Sequence, residues 1–533
     1  MKTIKPIYFS TLLIAILSGC SSAKGPVLVS TDAANIDKTV LKTTPLNENA
    51  LNRWSHLDLV KDTVPGMSVD KAYSEFLKGK KLNPIIVAVI DSGLDIDHKD
   101  LKGHIWVNKK EIPGNKIDDD KNGYVDDING WNFLGESTNE NLELTRIVKK
   151  GDDGSIFYKN CKAELDEKLS KLEKQKPQVD MISNADKEVR AYLKKEVYTI
   201  TDIKSITSTK ESMMQSKGIM TQIATQGGVG FQDEIKSYID YVYDNLNYNL
   251  NVNYDGRKVI GDNPENINDK FYGNANVKGP DVEDALHGTH VAGIIAQNRG
   301  NKLGGDGIAS NAIIMPIRTV PNGDENDKDV ALAIRYAVDN GAKIINASFG
   351  KDYSPHSEWV QEAIKYAESK DVLIFHAAGN DGKDLDSNPN FPTDEINGKE
   401  IADNLVTVGS LNPELGSSLV SDFSNYGINN VDVFAPGLKI YATVPNNKYK
   451  MEQGTSMASP NAAGVGALVR SCFPKLTASQ VKHIIMDSGT PILYEVVLGE
   501  AKAVKKSFKN ASKSGKMVNA YNALLMAEKM SKK

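Results

Sequence analysis

Three side chains in this sequence are of the types needed for nucleophilic acyl chemistry. Asp91 ends the stretch Val89-Ile90-Asp91-Ser92-Gly93. His287 opens His287-Gly288-Thr289-His290-Val291-Ala292-Gly293. Ser456 lies in Gly454-Thr455-Ser456-Met457-Ala458-Ser459-Pro460. A serine hydroxyl is a weak nucleophile and needs an adjacent base. Histidine supplies one because its proton affinity lies near neutrality. A carboxylate orients the imidazole and stabilises its cation. Each motif alone is weak, since a strand-ending Asp is commonly a turn residue, a lone His is commonly structural and Gly-Thr-Ser is frequent. Their value is joint, and it depends on elements that bring three distant segments together.

Ile85 to Ile90 form an unbroken apolar run, which suits a parallel strand buried on both faces. Similar runs recur at 312–320, 343–349, 372–378 and 405–410. Between them, 329–340 and 359–368 have helical spacing, the first stopping at Asn340-Gly341. Thr477 and Gln480 form a capping-box pattern before a further apolar run. The alternation predicts an α/β domain of three layers, a mainly parallel sheet flanked by helices. In such sheets functional groups gather beyond the carboxyl ends of the strands, where Asp91 belongs.

The 533 residues leave room for one large domain with insertions. A net charge of −5 argues against nucleic acid as a partner. Lys2 and Lys5 precede an apolar stretch that ends in Leu17-Ser18-Gly19-Cys20. That stretch is too short to span a bilayer and fits a signal peptide over 1–19. Its last four residues read as a lipobox, which predicts lipidation of Cys20 and a bacterial-envelope protein anchored to one membrane face. Residues 20–50 are polar and read as a tether. Residues 51–83 are expected to pack on the domain, with a short helix near 68–78. The segment 136–279 breaks the strand–helix rhythm, with a Lys/Glu-rich helical stretch at 161–174 and a Tyr-rich stretch at 238–254. It is read as a partly helical insertion between 51–135 and 280–533, leaving open a lid, an exosite, an internal inhibitor or padding. Cys161 and Cys472 are either a pair or two buried thiols.

The three motifs together, in the order Asp, His, Ser, resemble the signatures of the subtilisin-like serine proteases. The resemblance covers about 85–135 and 280–530. It implies a serine endopeptidase acting on proteins or peptides as a monomer, with Asp91 orienting, His287 as general base and acid, and Ser456 as nucleophile. His290 matches a structural position. The stretch Phe375-His376-Ala377-Ala378-Gly379-Asn380 resembles the family's oxyanion-hole segment, so Asn380 and the Ser456 N–H are the expected donors. Ser348, Phe349 and Gly350, with Ala378 and Gly379, match its substrate-binding strands. The narrower reading is an envelope processing protease. A reading from another class, an inactive peptide-binding lipoprotein, needs a missing catalytic group, and none is missing.

Asp118, Asp120, Asn122 and Gly123 have the spacing that opens a calcium-binding loop. Tyr124 offers a backbone carbonyl, and Asp126 or Asp127 would complete the shell. Asn129 stands where such a loop ends in Glu, so the pattern is partial. Mutual repulsion among the carboxylates favours a structural calcium ion. By resemblance Asp100 matches a second calcium ligand, although the loop near 298–306 departs from the family pattern.

Overall fold

The computed structural model describes residues 45–228, 230–499 and 504–532. The expected signal peptide, Cys20 and the tether up to residue 44 lie outside the described residues. Among those described, no helix is long and apolar enough to cross a membrane.

The centre is a nine-stranded sheet. In chain order its strands are β1 (Ile85–Asp91), β2 (Trp131–Asn132), β3 (Ala312–Arg318), β4 (Ile344–Ala347), β5 (Leu373–Ala377), β6 (Leu405–Leu411), β7 (Val433–Pro436), β8 (Thr490–Pro491) and β9 (Lys516–Met517). They lie in the order β8-β9-β7-β6-β5-β4-β1-β3-β2. All neighbours are parallel except β8 and β9. The helices used below are α1 (Glu143–Lys150), α2 (Ile156–Leu193), α3 (Glu211–Gly227) and α4 (Phe231–Asp244), then α5 (Leu286–Ala296), α6 (Asp327–Asp339), α7 (Ser357–Ser369) and α8 (Thr455–Cys472).

Strand β1 shows why the sheet is covered on both sides. Val87 and Val89 enter one core with residues of α5 and α8, while Ala88 and Ile90 enter the other with residues of α6 and α7. Successive side chains of a strand point to opposite faces, so a continuous apolar run demands two cores. Asp91 pairs in register with Arg318, Ile90 with Ala347, and Ala347 with His376. The carboxyl ends of β1, β3, β4 and β5 therefore lie at one edge of the sheet.

The segment before β1 packs on the domain through buried Trp54, Leu59, Met67 and Val69, and it is helical over 69–76. The segment between Asp91 and His287 holds α1 to α4 and two small apolar cores of its own. The helix expected to stop near 174 runs from Ile156 to Leu193, straight through Pro177. Proline normally breaks a helix interior, but the buried stripe Leu165, Leu172, Val179 and Ile182 continues across it and holds the helix together. Cys161 and Cys472 are free thiols.

Candidate active site

Asp91 ends β1 and is 2% exposed. Its Oδ1 accepts from the Ser92 N–H at 2.7 Å and pairs with His287 Nδ1 at 2.7 Å. His287 stands in the first turn of α5, and that turn is pressed onto the end of β1. A Cβ at position 288 would collide with the Gly93 carbonyl and crowd Asp91, so only glycine lets the helix start this close. Burial alone would lower the proton affinity of His287, but the charge and hydrogen bond of Asp91 outweigh it and raise the value above the usual 6.5. The imidazole is still 38% exposed and open toward the cleft.

Ser456 stands in the first turn of α8. Its Oγ donates to the Ser348 carbonyl at 3.1 Å. In return Ser348 Oγ donates to the Ser456 carbonyl at 2.8 Å and accepts from Asn346 Nδ2 at 2.9 Å. Ser459 Oγ donates to Asn346 Oδ1 at 2.8 Å. A buried polar ladder thus bolts the start of α8 to the end of β4. Pro460 explains why the ladder is needed. It lies inside α8, in the second turn rather than the first. Having no N–H, it cannot bond the carbonyl four residues back, which is that of Ser456. Ser348 supplies the missing donor.

Asn380 follows β5. Its Oδ1 accepts from the Thr455 N–H at 2.9 Å and from Thr455 Oγ1 at 3.1 Å. With its oxygen fixed on α8, its Nδ2 donates to no described residue. The Ser456 N–H lies in the first turn, where a helix provides no carbonyl partner. Anions are favoured at such an end. Phe349 is held by His376 Nε2 on its carbonyl at 2.9 Å. Burial pushes His376 down to about 4 and His290 to about 3, so both are neutral struts. His290 Nε2 donates to the Ile440 and Lys450 carbonyls.

His287, Ser348, Phe349, Gly350, Gly379, Asn380 and Ser456 all line one cleft of about 790 Å³, and Ala378 lies buried behind it. The cleft also holds residues that sequence reasoning missed. Thr138, Asn139, Asp244 and Tyr248 reach it from the segment between Asp91 and His287, Arg318 from the end of β3 and Glu325 from the loop after it. Asn322 is held to that segment by its N–H on the Thr138 carbonyl at 2.8 Å and its carbonyl on the Glu140 N–H at 2.9 Å. Lys351, just past Gly350, is buried and bonded to Glu143 of α1 at 2.6 Å and to Asp327 at 2.9 Å. No local sequence signal marks these contacts.

The acidic loop is arranged differently from the spacing argument. Carboxylate oxygens of Glu111, Asp118 and Asp120 lie within 4.8 Å of one another. Asp126 instead accepts from the Gly114 and Lys116 N–H groups at 2.8 and 2.9 Å. Asp127 is buried and accepts from Asn108, Asn122 and Tyr336. Asn122 Oδ1 accepts from the Tyr124 N–H at 2.7 Å. Of the carboxylates read from spacing, Asp118 and Asp120 thus lie together, joined by Glu111, while Asp126 and Asp127 bond elsewhere. Backbone N–H groups engage Asp126 and side-chain donors engage Asp127, which draws both away from the other three. Asp100 is fully buried and accepts from Asn301 Nδ2, while Arg53 of the N-terminal segment pairs with Asp306 in the divergent loop.

Residues 83–513 match the subtilase family, peptidases of type S8. The chain belongs to the subtilase family. This subtilase is 39% identical over 186 residues to a thermophilic serine proteinase of Bacillus sp. (strain AK1), covering 35% of this chain and 42% of that protein. It is 37% identical over 219 residues to a cell wall-associated protease of Bacillus subtilis (strain 168), covering 41% of this chain and 23% of that one. The matched stretch thus spans less than half of either relative. Among solved structures, a cold-adapted subtilisin-like serine proteinase is 27% identical, covering 45% of this chain and 77% of its own, with a TM-score of 0.36.

Proposed function

We propose that this subtilase is a serine endopeptidase that cleaves peptide bonds in proteins through an acyl-enzyme. The carrying observation is the 2.7 Å bond between His287 Nδ1 and buried Asp91, in one cleft with Ser456 and Asn380. That bond fixes the tautomer that leaves Nε2 free as a base. For attack, the Ser456 hydroxyl must leave the Ser348 carbonyl and pass its proton to His287 as Oγ adds to the substrate carbonyl. Bonds of this kind are often loose before substrate binds. Asn380 Nδ2 and the Ser456 N–H then face the developing oxyanion. His287 returns the proton to the leaving amine, and water repeats the sequence to release the acid.

A narrow processing role is favoured over general digestion, because Thr138, Asn139, Asp244 and Tyr248 of the inserted segment help wall the cleft. Two further parts of the reading rest on chemistry alone. Glu111, Asp118 and Asp120 offer only hard oxygen donors, which fit calcium rather than a soft metal; the ion would tie the loop together and take no part in the reaction. The lipobox ending at Cys20 would anchor the enzyme to one face of a bacterial envelope membrane, and Cys20→Ser would then shift it from the membrane to the soluble fraction. A fluorophosphonate probe tests the main reading. Wild type should label and Ser456→Ala should not; a folded, calcium-replete wild type that fails to label refutes it.

A further inference from the structure

We propose that Glu325 makes this cleft select peptides carrying a lysine or arginine side chain close to the scissile bond. The inference rests on the peptidase reading and names its substrate class.

Glu325 is 3% exposed, yet it lines the same cleft as His287, Ser456 and Asn380. Apart from its own backbone N–H, its carboxylate has no hydrogen-bond or ion-pair partner among the described residues. A buried carboxylate without a cation is costly and is rarely left so without a reason. Two cations stand close enough to serve, and both hold other partners, with only Arg146 Nε left without one. Lys351 Nζ bonds Glu143 at 2.6 Å, Asp327 at 2.9 Å and the backbone carbonyl of Glu325 at 2.8 Å. An ammonium has three donors, so Lys351 is fully used. Arg146 bonds Glu140, Glu143 and the carbonyls of Asn141, Asp324 and Glu325. The network thus holds the Glu325 backbone firmly and leaves its side chain to the cleft.

The rest of the wall agrees in sign. Asp244, Asp284 and Asp381 line it too. Arg318 opposes them, but its guanidinium is spent on the Ser92 and Ser137 carbonyls and on Asn132. Burial pushes the Glu325 carboxyl up, Lys351 pulls it down, and Asp324 and Asp327 push it up again, to about 7. A substrate ammonium or guanidinium would draw off that proton and form a charge-assisted bond in a water-poor site. A peptide with a neutral residue there leaves the acid unpaired.

The test uses the full chain and internally quenched peptides that carry Lys, Arg, Gln or norleucine at each position around the cleaved bond. At one position wild type should favour Lys or Arg over norleucine by roughly ten- to a hundredfold in kcat/KM, the worth of a buried charge-assisted bond. In Glu325→Gln that ratio should fall to near one. Cleavage without a cationic preference, or a preference that survives in Glu325→Gln, overturns the inference and leaves the peptidase reading intact. If wild type cleaves no peptide, both fall together. Should the variant not fold, wild type alone decides. The charged groups facing Glu325 are Lys351, Asp324 and Asp327, with Arg146 and Glu143 behind them. The Lys-to-norleucine ratio should drop between about pH 8 and about pH 5.5 as the Glu325 carboxyl takes up its proton. His287 cancels from the ratio, and a flat ratio overturns the inference.

Discussion

Replacing Ser348 by alanine tests whether the helix that carries Ser456 is held by the polar ladder. Ser348 is 2% exposed and Asn346 is fully buried. The substitution removes the donor to the Ser456 carbonyl and the acceptor for Asn346 Nδ2, leaving two polar groups without partners. Each orphaned buried group costs ~1–3 kcal/mol, so the variant should lose about 2–6 kcal/mol of stability. Pro460 allows this loss to be divided. In a Pro460→Ala background, residue 460 regains an N–H in register with the Ser456 carbonyl, so that acceptor is satisfied with or without Ser348. The Asn346 loss is the same in both backgrounds. Ser348→Ala should therefore cost about 1–2 kcal/mol less when Pro460 is absent. The assay is urea unfolding of the four members of the cycle, all carrying Ser456→Ala to prevent self-digestion. Ser456→Ala keeps the backbone carbonyl at issue. Equal costs in the two backgrounds would refute the idea that Pro460 leaves the carbonyl to Ser348.

Activity should depend on neutral His287. Because Asp91 raises its proton affinity above 6.5, kcat/KM should fall as pH drops through a midpoint above that value. Asp91→Asn should lower the midpoint and reduce kcat, and an unmoved midpoint would show that another group controls the limb. The same pair stabilises the fold fully below the unfolded His value near 6.5 and loses that contribution as pH rises through the folded one. Chelation should lower the melting temperature of wild type, and both Asp120→Ala and Glu111→Gln should abolish the shift. A chelator effect that persists in Glu111→Gln would return the ligand set to the one read from spacing.

The sequence alone carried the motifs behind the proposed chemistry, and it determined the fold class. Acyl transfer needs a nucleophile, a base and an orienting acid, and these are rare enough in combination that three short motifs reveal them. The buried parallel strands were equally legible, because burial on both faces leaves the unbroken apolar runs now seen as β1 and β3 to β6. Helix ends were read to within a few residues where a cap marked them, as at Thr477. They were missed where packing overrode a breaker, as at Pro177. Tertiary structure decided what depends on distant partners. Nothing local tells that Ser348 serves the Ser456 carbonyl, that Thr455 turns the amide of Asn380, or that Glu111 joins Asp118 and Asp120 while Asp126 and Asp127 bond elsewhere. Nor does the sequence tell that Lys351 bonds Glu143 and Asp327 while Arg146 bonds Glu140 and Glu143, leaving the Glu325 carboxylate to face the cleft. Hydrophobic patterning is written along the chain with a short period. Hydrogen-bond and charge partners are fixed only when the folded chain has assigned every donor and acceptor.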